Sequence, residues 1–136
     1  MTERLHHFAF KLATRRKAKG TSGHVTCVDK ANVFASMAFF RKIFDEVAPV
    51  YPEISHDHAY VDAQALNLIR HPWAYDVLVM ENMFGDILSD LAGGLVGGMG
   101  MAACAEIGDL YWHQTIMLAK IILILFGDRM TPTQSI

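Results

Sequence analysis

Apolar positions along the chain fall into two rhythms that take turns. Leu5, Phe8, Ala9 and Leu12 recur at helical spacing behind Thr2, a residue able to cap a helix, and predict a first helix. The small residues at 20–23 break it. Residues 24–28 are short and rich in β-branched types, a strand that ends at Asp29 and Lys30. A second amphipathic helix is predicted over 34–48, with Met37, Phe40, Phe44 and Val47 on one face and Pro49 and Pro52 closing it. Residues 54–61 read as a strand and 63–70 as a short helix, with Pro72 as punctuation. Residues 75–80 form a continuous run of strand length, the kind buried on both faces of a sheet. Asn82 is the expected cap of a helix beginning near Phe84.

Strands alternating with helices predict an α/β layered domain. With 136 residues there is room for one domain and a core of its own. The glycines between 93 and 100 are interleaved with Leu95, Val96 and Met99, so they predict close backbone packing or a tight turn instead of a linker.

Composition narrows the function classes. The chain is 52% hydrophobic and 19% charged, which is globular and not disordered. A net charge of −2 offers no global field for nucleic acid or an anionic membrane. The basic run Arg15, Arg16, Lys17 and Lys19 falls at the end of the first helix, where cations complement the helix dipole. Cys27 and Cys104 have no CxxC partner, so reduced thiols and a cytoplasmic setting are expected. The N-terminus has no apolar signal region. The apolar stretch at 116–126 is shorter than the roughly 20 residues that span a bilayer.

Candidate chemistry centres on carboxylates. Asp86 and Asp90 stand four apart on a predicted helix and project from one face, where their repulsion would be reversed by a divalent cation. Oxygen ligands of this kind suit Mg²⁺ or Mn²⁺; on spacing alone the helix's positive N-terminus explains both acids better. Asp62 lies at a strand-to-helix junction, where an N-cap role competes with ligation. Lys30 ends a strand, the place where α/β folds collect ligands. His56 and His58 share one face of a strand, but no further Cys or His stands at zinc spacing, so an exposed edge is expected. Gly98 to Ala103 matches G-x-G-x-x-A as a string, yet follows a predicted helix and lacks the context of a dinucleotide fingerprint.

Four blocks in order, VTCVDKANV (25–33), YVDAQALNLI (60–69), ENMFGDILSDL (81–91) and GGMGMAACAEIGD (97–109), resemble the β-decarboxylating isocitrate/isopropylmalate dehydrogenase family. The 3-isopropylmalate dehydrogenases are the branch it is most similar to, with tartrate/D-malate and isocitrate enzymes behind. Ala103 and Cys104 depart from the Pro-Ser usual there. The resemblance implies an isopropylmalate dehydrogenase-like α/β fold, NAD(P)-dependent oxidative decarboxylation of a 2-hydroxy acid, and a homodimer with a shared active site. It implies that Lys30 is the acid–base catalyst serving the opposite subunit and that Asn32 and Val33 touch substrate or cofactor. It further implies that Asp62 is a metal ligand reaching into the neighbouring subunit and that Asp86 and Asp90 are ligands of the home subunit, for Mg²⁺ or Mn²⁺. A lysine beside such a dication would hold its proton less tightly, which suits proton transfer.

The resemblance runs from Leu5 to Asp109 and makes residues 1–109 part of a family domain; residues 110–136 resemble no family segment. The family's substrate-binding arginines, its catalytic tyrosine and its HGSAPDIAGK-type cofactor loop have no match here. The expectation is an incomplete chain, inactive alone, or alternatively a non-catalytic dimerisation module.

Overall fold

The computed structural model describes residues 2–97 with their side chains and residues 119–123 by their backbone. The elements in chain order are α1 (Thr2–Lys17), β1 (His24–Asp29), α2 (Ala35–Val47), a 3₁₀ turn (Ala48–Val50), β2 (Ser55–Tyr60), α3 (Val61–Arg70), a second 3₁₀ turn (Pro72–Ala74), β3 (Val77–Glu81), α4 (Asn82–Leu95) and β4 (Ala119–Leu123). The expected alternation is therefore present. The sheet order is β2-β1-β3-β4, with β1 parallel to both β2 and β3 and β4 antiparallel to β3.

The central strands are apolar on both faces because each face meets a helical layer. Val25, Cys27, Val77 and Val79 join Ala9, Phe10 and Ala13 of α1 and Phe40, Phe44 and Val47 of α2 in one core. Val28, Leu78 and Met80 join Leu68 of α3 and Phe84 and Leu88 of α4 in the other. Met37, expected on the same face as Phe40 and Phe44, is buried but belongs to this second core. Each fully buried large side chain, such as Phe44, contributes roughly 1.5–3 kcal/mol.

The deep face of α1 is His6, Ala9, Phe10 and Ala13, a regular i, i+3, i+4, i+7 stripe. The expected face differs because a histidine reads as polar in the sequence: Phe8 is only half-buried, and Leu5 and Leu12 pack at the margin of the core. The cap of α4 also differs. Glu81 occupies the cap position and its carboxylate accepts from the Met83 N–H at 3.1 Å, while Asn82 is the first helical residue.

The strand expected from residue 75 begins at Val77. Asp76 before it is buried, and its carboxylate accepts from Arg16, from the Thr21 hydroxyl at 2.8 Å and from the Gly23 N–H at 2.9 Å. Gly23 is required there: its φ is +62°, and a Cβ would lie 2.6 Å from the Lys17 Cβ. The same knot absorbs Arg16 from the basic run, and Lys17 donates to the Glu53 carbonyl.

His56 and His58 lie on edge strand β2, as expected, with their rings edge-on to Phe44. His58 Nε2 lies 2.7 Å from an Asp45 oxygen. The G-x-G-x-x-A string, Cys104 and all of the tail except 119–123 lie outside the described residues. Among the described residues no helix is long and apolar enough to cross a membrane.

Candidate active site

The register of the parallel strands brings their carboxyl ends together. Asp29 of β1 stands opposite Tyr60 of β2, and Val28 stands opposite Met80 of β3. Residues just past these ends therefore share one rim of the sheet, where open α/β folds place ligands. Lys30 follows β1, Asp62 lies in the first turn of α3, and α4 starts directly after β3.

Lys30 and Asp62 meet there. The lysine Nζ donates to Asp62 Oδ1, and this ammonium holds the Asp62 carboxyl below the usual carboxylate range. Asp62 does not act as the helix cap, a position taken by Tyr60, and its side chain is largely exposed. Asn32 and Val33 sit in the turn between β1 and α2, which is closed by hydrogen bonds from the Val33 and Phe34 N–H groups to the Lys30 carbonyl at 2.9 and 3.0 Å. Both are exposed, and Val33 leaves 61% of its surface open.

Around Lys30 stands a set of residues that sequence reasoning missed. Asp29 is fully buried and accepts three hydrogen bonds, from Arg41 Nε at 2.7 Å, from Arg41 Nη2 at 2.8 Å and from the Ala31 N–H at 2.8 Å. The bond to Asp29 pushes the Arg41 guanidinium further toward its charged form. Arg41 and Lys30 both lie over the Tyr60 ring, at 5.3 and 5.4 Å from its centroid. Asp29 and Arg41 are twelve residues apart on different elements, so no local pattern announces the pair.

Asp86 and Asp90 lie on the outward face of α4, since Phe84 and Leu88 take the inward one. With Met83 and Ile87 they form a stripe in which acids and exposed apolar side chains alternate. Asp62, Leu66 and Ile69 make a similar stripe on α3. Carboxylate pairs of this kind supply the oxygen donors that a hard divalent cation takes. Within one chain, however, no three His, Cys, Asp or Glu side chains among the described residues converge on a point where an ion could sit. The lysine and one acid thus form one half of a rim, and the acid pair on α4 forms another.

Comparison with known proteins identifies the family. The family model described as isocitrate/isopropylmalate dehydrogenase matches residues 1–121. The 3-isopropylmalate/3-methylmalate dehydrogenase of Methanocaldococcus jannaschii is 49% identical over 108 residues, covering 79% of this chain and 32% of that protein. The 3-isopropylmalate dehydrogenase of Staphylococcus aureus is 46% identical over 107 residues, covering 79% of this chain and 29% of that one. The crystal structure of isocitrate dehydrogenase from Methylococcus capsulatus superimposes with a TM-score of 0.66 at 44% identity, over 73% of this chain and 28% of that one. The chain spans about a third of the length of the curated relatives it matches.

Proposed function

The chain belongs to the isocitrate/isopropylmalate dehydrogenase family, and on that premise we propose that it supplies the lysine and carboxylate half of an NAD(P)-dependent oxidative decarboxylase of a 2-hydroxy acid, 3-isopropylmalate by its relatives. The observation that carries the reading is the division of the rim. Lys30 pairs with Asp62 in one chain, while Asp86 and Asp90 on α4 do not converge with Asp62 on one metal-holding point among the described residues. Two chains related by a two-fold axis would each present what the other lacks. The exposed Leu66, Ile69, Met83 and Ile87 beside the carboxylates support burial of these stripes in a homodimer.

In that site Asp86 and Asp90 of one subunit, with Asp62 of the other, would hold Mg²⁺ or Mn²⁺. The metal's contribution is to draw electron density from the substrate oxygens during oxidation and loss of CO₂. In its neutral amine form, Lys30 Nζ takes a proton from the substrate hydroxyl and returns one to the product. Asn32 and Val33, exposed beside Lys30, face the substrate or the nicotinamide. The expected partners are the second subunit and the small-molecule acid, and the expected setting is the cytoplasm.

Calorimetry with Mn²⁺ tests the ligand assignment. Binding should be weak and should vanish when Asp86→Asn and Asp90→Asn are combined; equal affinity would refute it. An NAD⁺-linked assay of the enzyme carrying this segment, run on isopropylmalate, malate, tartrate and isocitrate, tests the substrate. Turnover should favour isopropylmalate and disappear with Lys30→Ala.

A further inference from the structure

We propose that Asp29, Arg41 and Tyr60 are positioning residues that fix the Lys30 side chain for proton transfer, a role that rests on the reading of Lys30 as the acid–base group. The geometry is a bracket with two arms. Asp29 is the anchor: buried and charged, it holds its place by three hydrogen bonds, and an anion so placed is stable only while its partners stay put. The bond to the Ala31 N–H ties down the backbone on the far side of Lys30, so the lysine sits between two fixed residues.

The second arm controls the side chain. Arg41 grips Asp29 through two guanidinium nitrogens, the planar two-point contact that a lysine could not reproduce. So held, the guanidinium lies 5.3 Å from the Tyr60 ring centroid, and the Lys30 ammonium lies 5.4 Å from the same centroid. The ring thus takes its place from Arg41 and offers an electron-rich surface to Lys30. Asp62 holds the ammonium from a different direction. A four-carbon side chain with free rotors is thereby confined to one location at the rim, and positional confinement of a reacting group is a large part of catalysis.

Lys30 confined next to an aromatic ring has a spectroscopic signature that a freely rotating lysine would not produce. In a ¹H–¹³C spectrum of the full chain, the ε-methylene signal of Lys30, identified by its loss in Lys30→Arg, should lie upfield of the other lysines through the ring current of Tyr60. Tyr60→Phe should keep that shift, because the ring and not the hydroxyl supplies it, and Tyr60→Leu should return the signal to the position of exposed lysines. Arg41→Met should remove most of the shift, because it frees the ring. A wild-type Lys30 signal among those of exposed lysines would overturn the proposal without any variant. An unchanged shift in Arg41→Met would overturn the bracket. Neither measurement involves metal or turnover, so failure here is distinguishable from failure of the proposed function.

Discussion

Lowering the pH should weaken the fold through one side chain, His6. Its ring is fully buried, with Nε2 3.2 Å from the Phe40 carbonyl oxygen and its centroid 4.5 and 5.4 Å from those of Phe40 and Phe44. A carbonyl only accepts, so Nε2 carries the proton, and Nδ1 has no hydrogen-bond partner among the described residues. Burial therefore opposes a second proton and lowers the His6 pKa from 6.5 to about 4. Between those two values the unfolded chain binds a proton that the folded chain refuses, so stability falls as pH falls through that interval. Above 6.5 the contribution is fully present, and below about 4 its loss is complete. At about 1.36 kcal/mol per pH unit, the loss is roughly 3 kcal/mol. That is a large share of the 5–15 kcal/mol typical of a domain. Urea denaturation of wild type and His6→Leu at pH 7.5 and pH 4 measures it. Other groups titrate in both proteins, so the relevant quantity is how much more stability wild type loses than the variant. A difference near 3 kcal/mol is expected; parallel losses would refute the reasoning.

Two further substitutions probe the buried polar groups. Gln64 on α3 is fully buried, with neither amide atom bonded among the described residues, so Gln64→Met, of similar shape, should raise stability by about 1–3 kcal/mol in the same denaturation assay. Asp76→Ala should do the opposite. It strands Arg16, the Thr21 hydroxyl and the Gly23 N–H, and should cost about 3–5 kcal/mol by thermal unfolding, with Asp76→Asn retaining part of the loss.

What could be read from the sequence follows the range of the forces involved. Patterning over neighbouring residues located the helices by their 3.6-residue spacing and the central strands as short apolar runs, because the two cores cover both faces of the sheet. It failed for α1, where a buried histidine hides in the inward stripe and Phe8 distracts from it. It also failed where the decisive contact is remote. Asp76 lies in an apolar run and looks out of place until Arg16 arrives from sixty positions earlier in the chain. Lys30, Asp62, Asp86 and Asp90 were found as motif residues, and the pairing of the first two is local to one rim. That the acid pair does not converge with Asp62 among the described residues is a property of the folded chain, as are the bonds that hold Arg41 to Asp29. No spacing rule carries that information.

The pairing of Lys30 with Asp62 within one chain has a genetic consequence. On the proposed two-fold arrangement, each site takes Lys30 and Asp62 from one subunit and Asp86 and Asp90 from the other. In the enzyme carrying this segment, a Lys30→Ala subunit and an Asp86→Asn subunit, each inert as a homodimer, then make a heterodimer in which one site collects both lesions and the other collects none. Random reassortment of the two inactive proteins in equal amounts makes half the dimers mixed, so about a quarter of wild-type activity should return. Lys30→Ala combined with Asp62→Asn subunits should give no such rescue, because both lesions fall on the same half of the rim. Two defective alleles would complement or fail to complement according to which side of that division each one strikes.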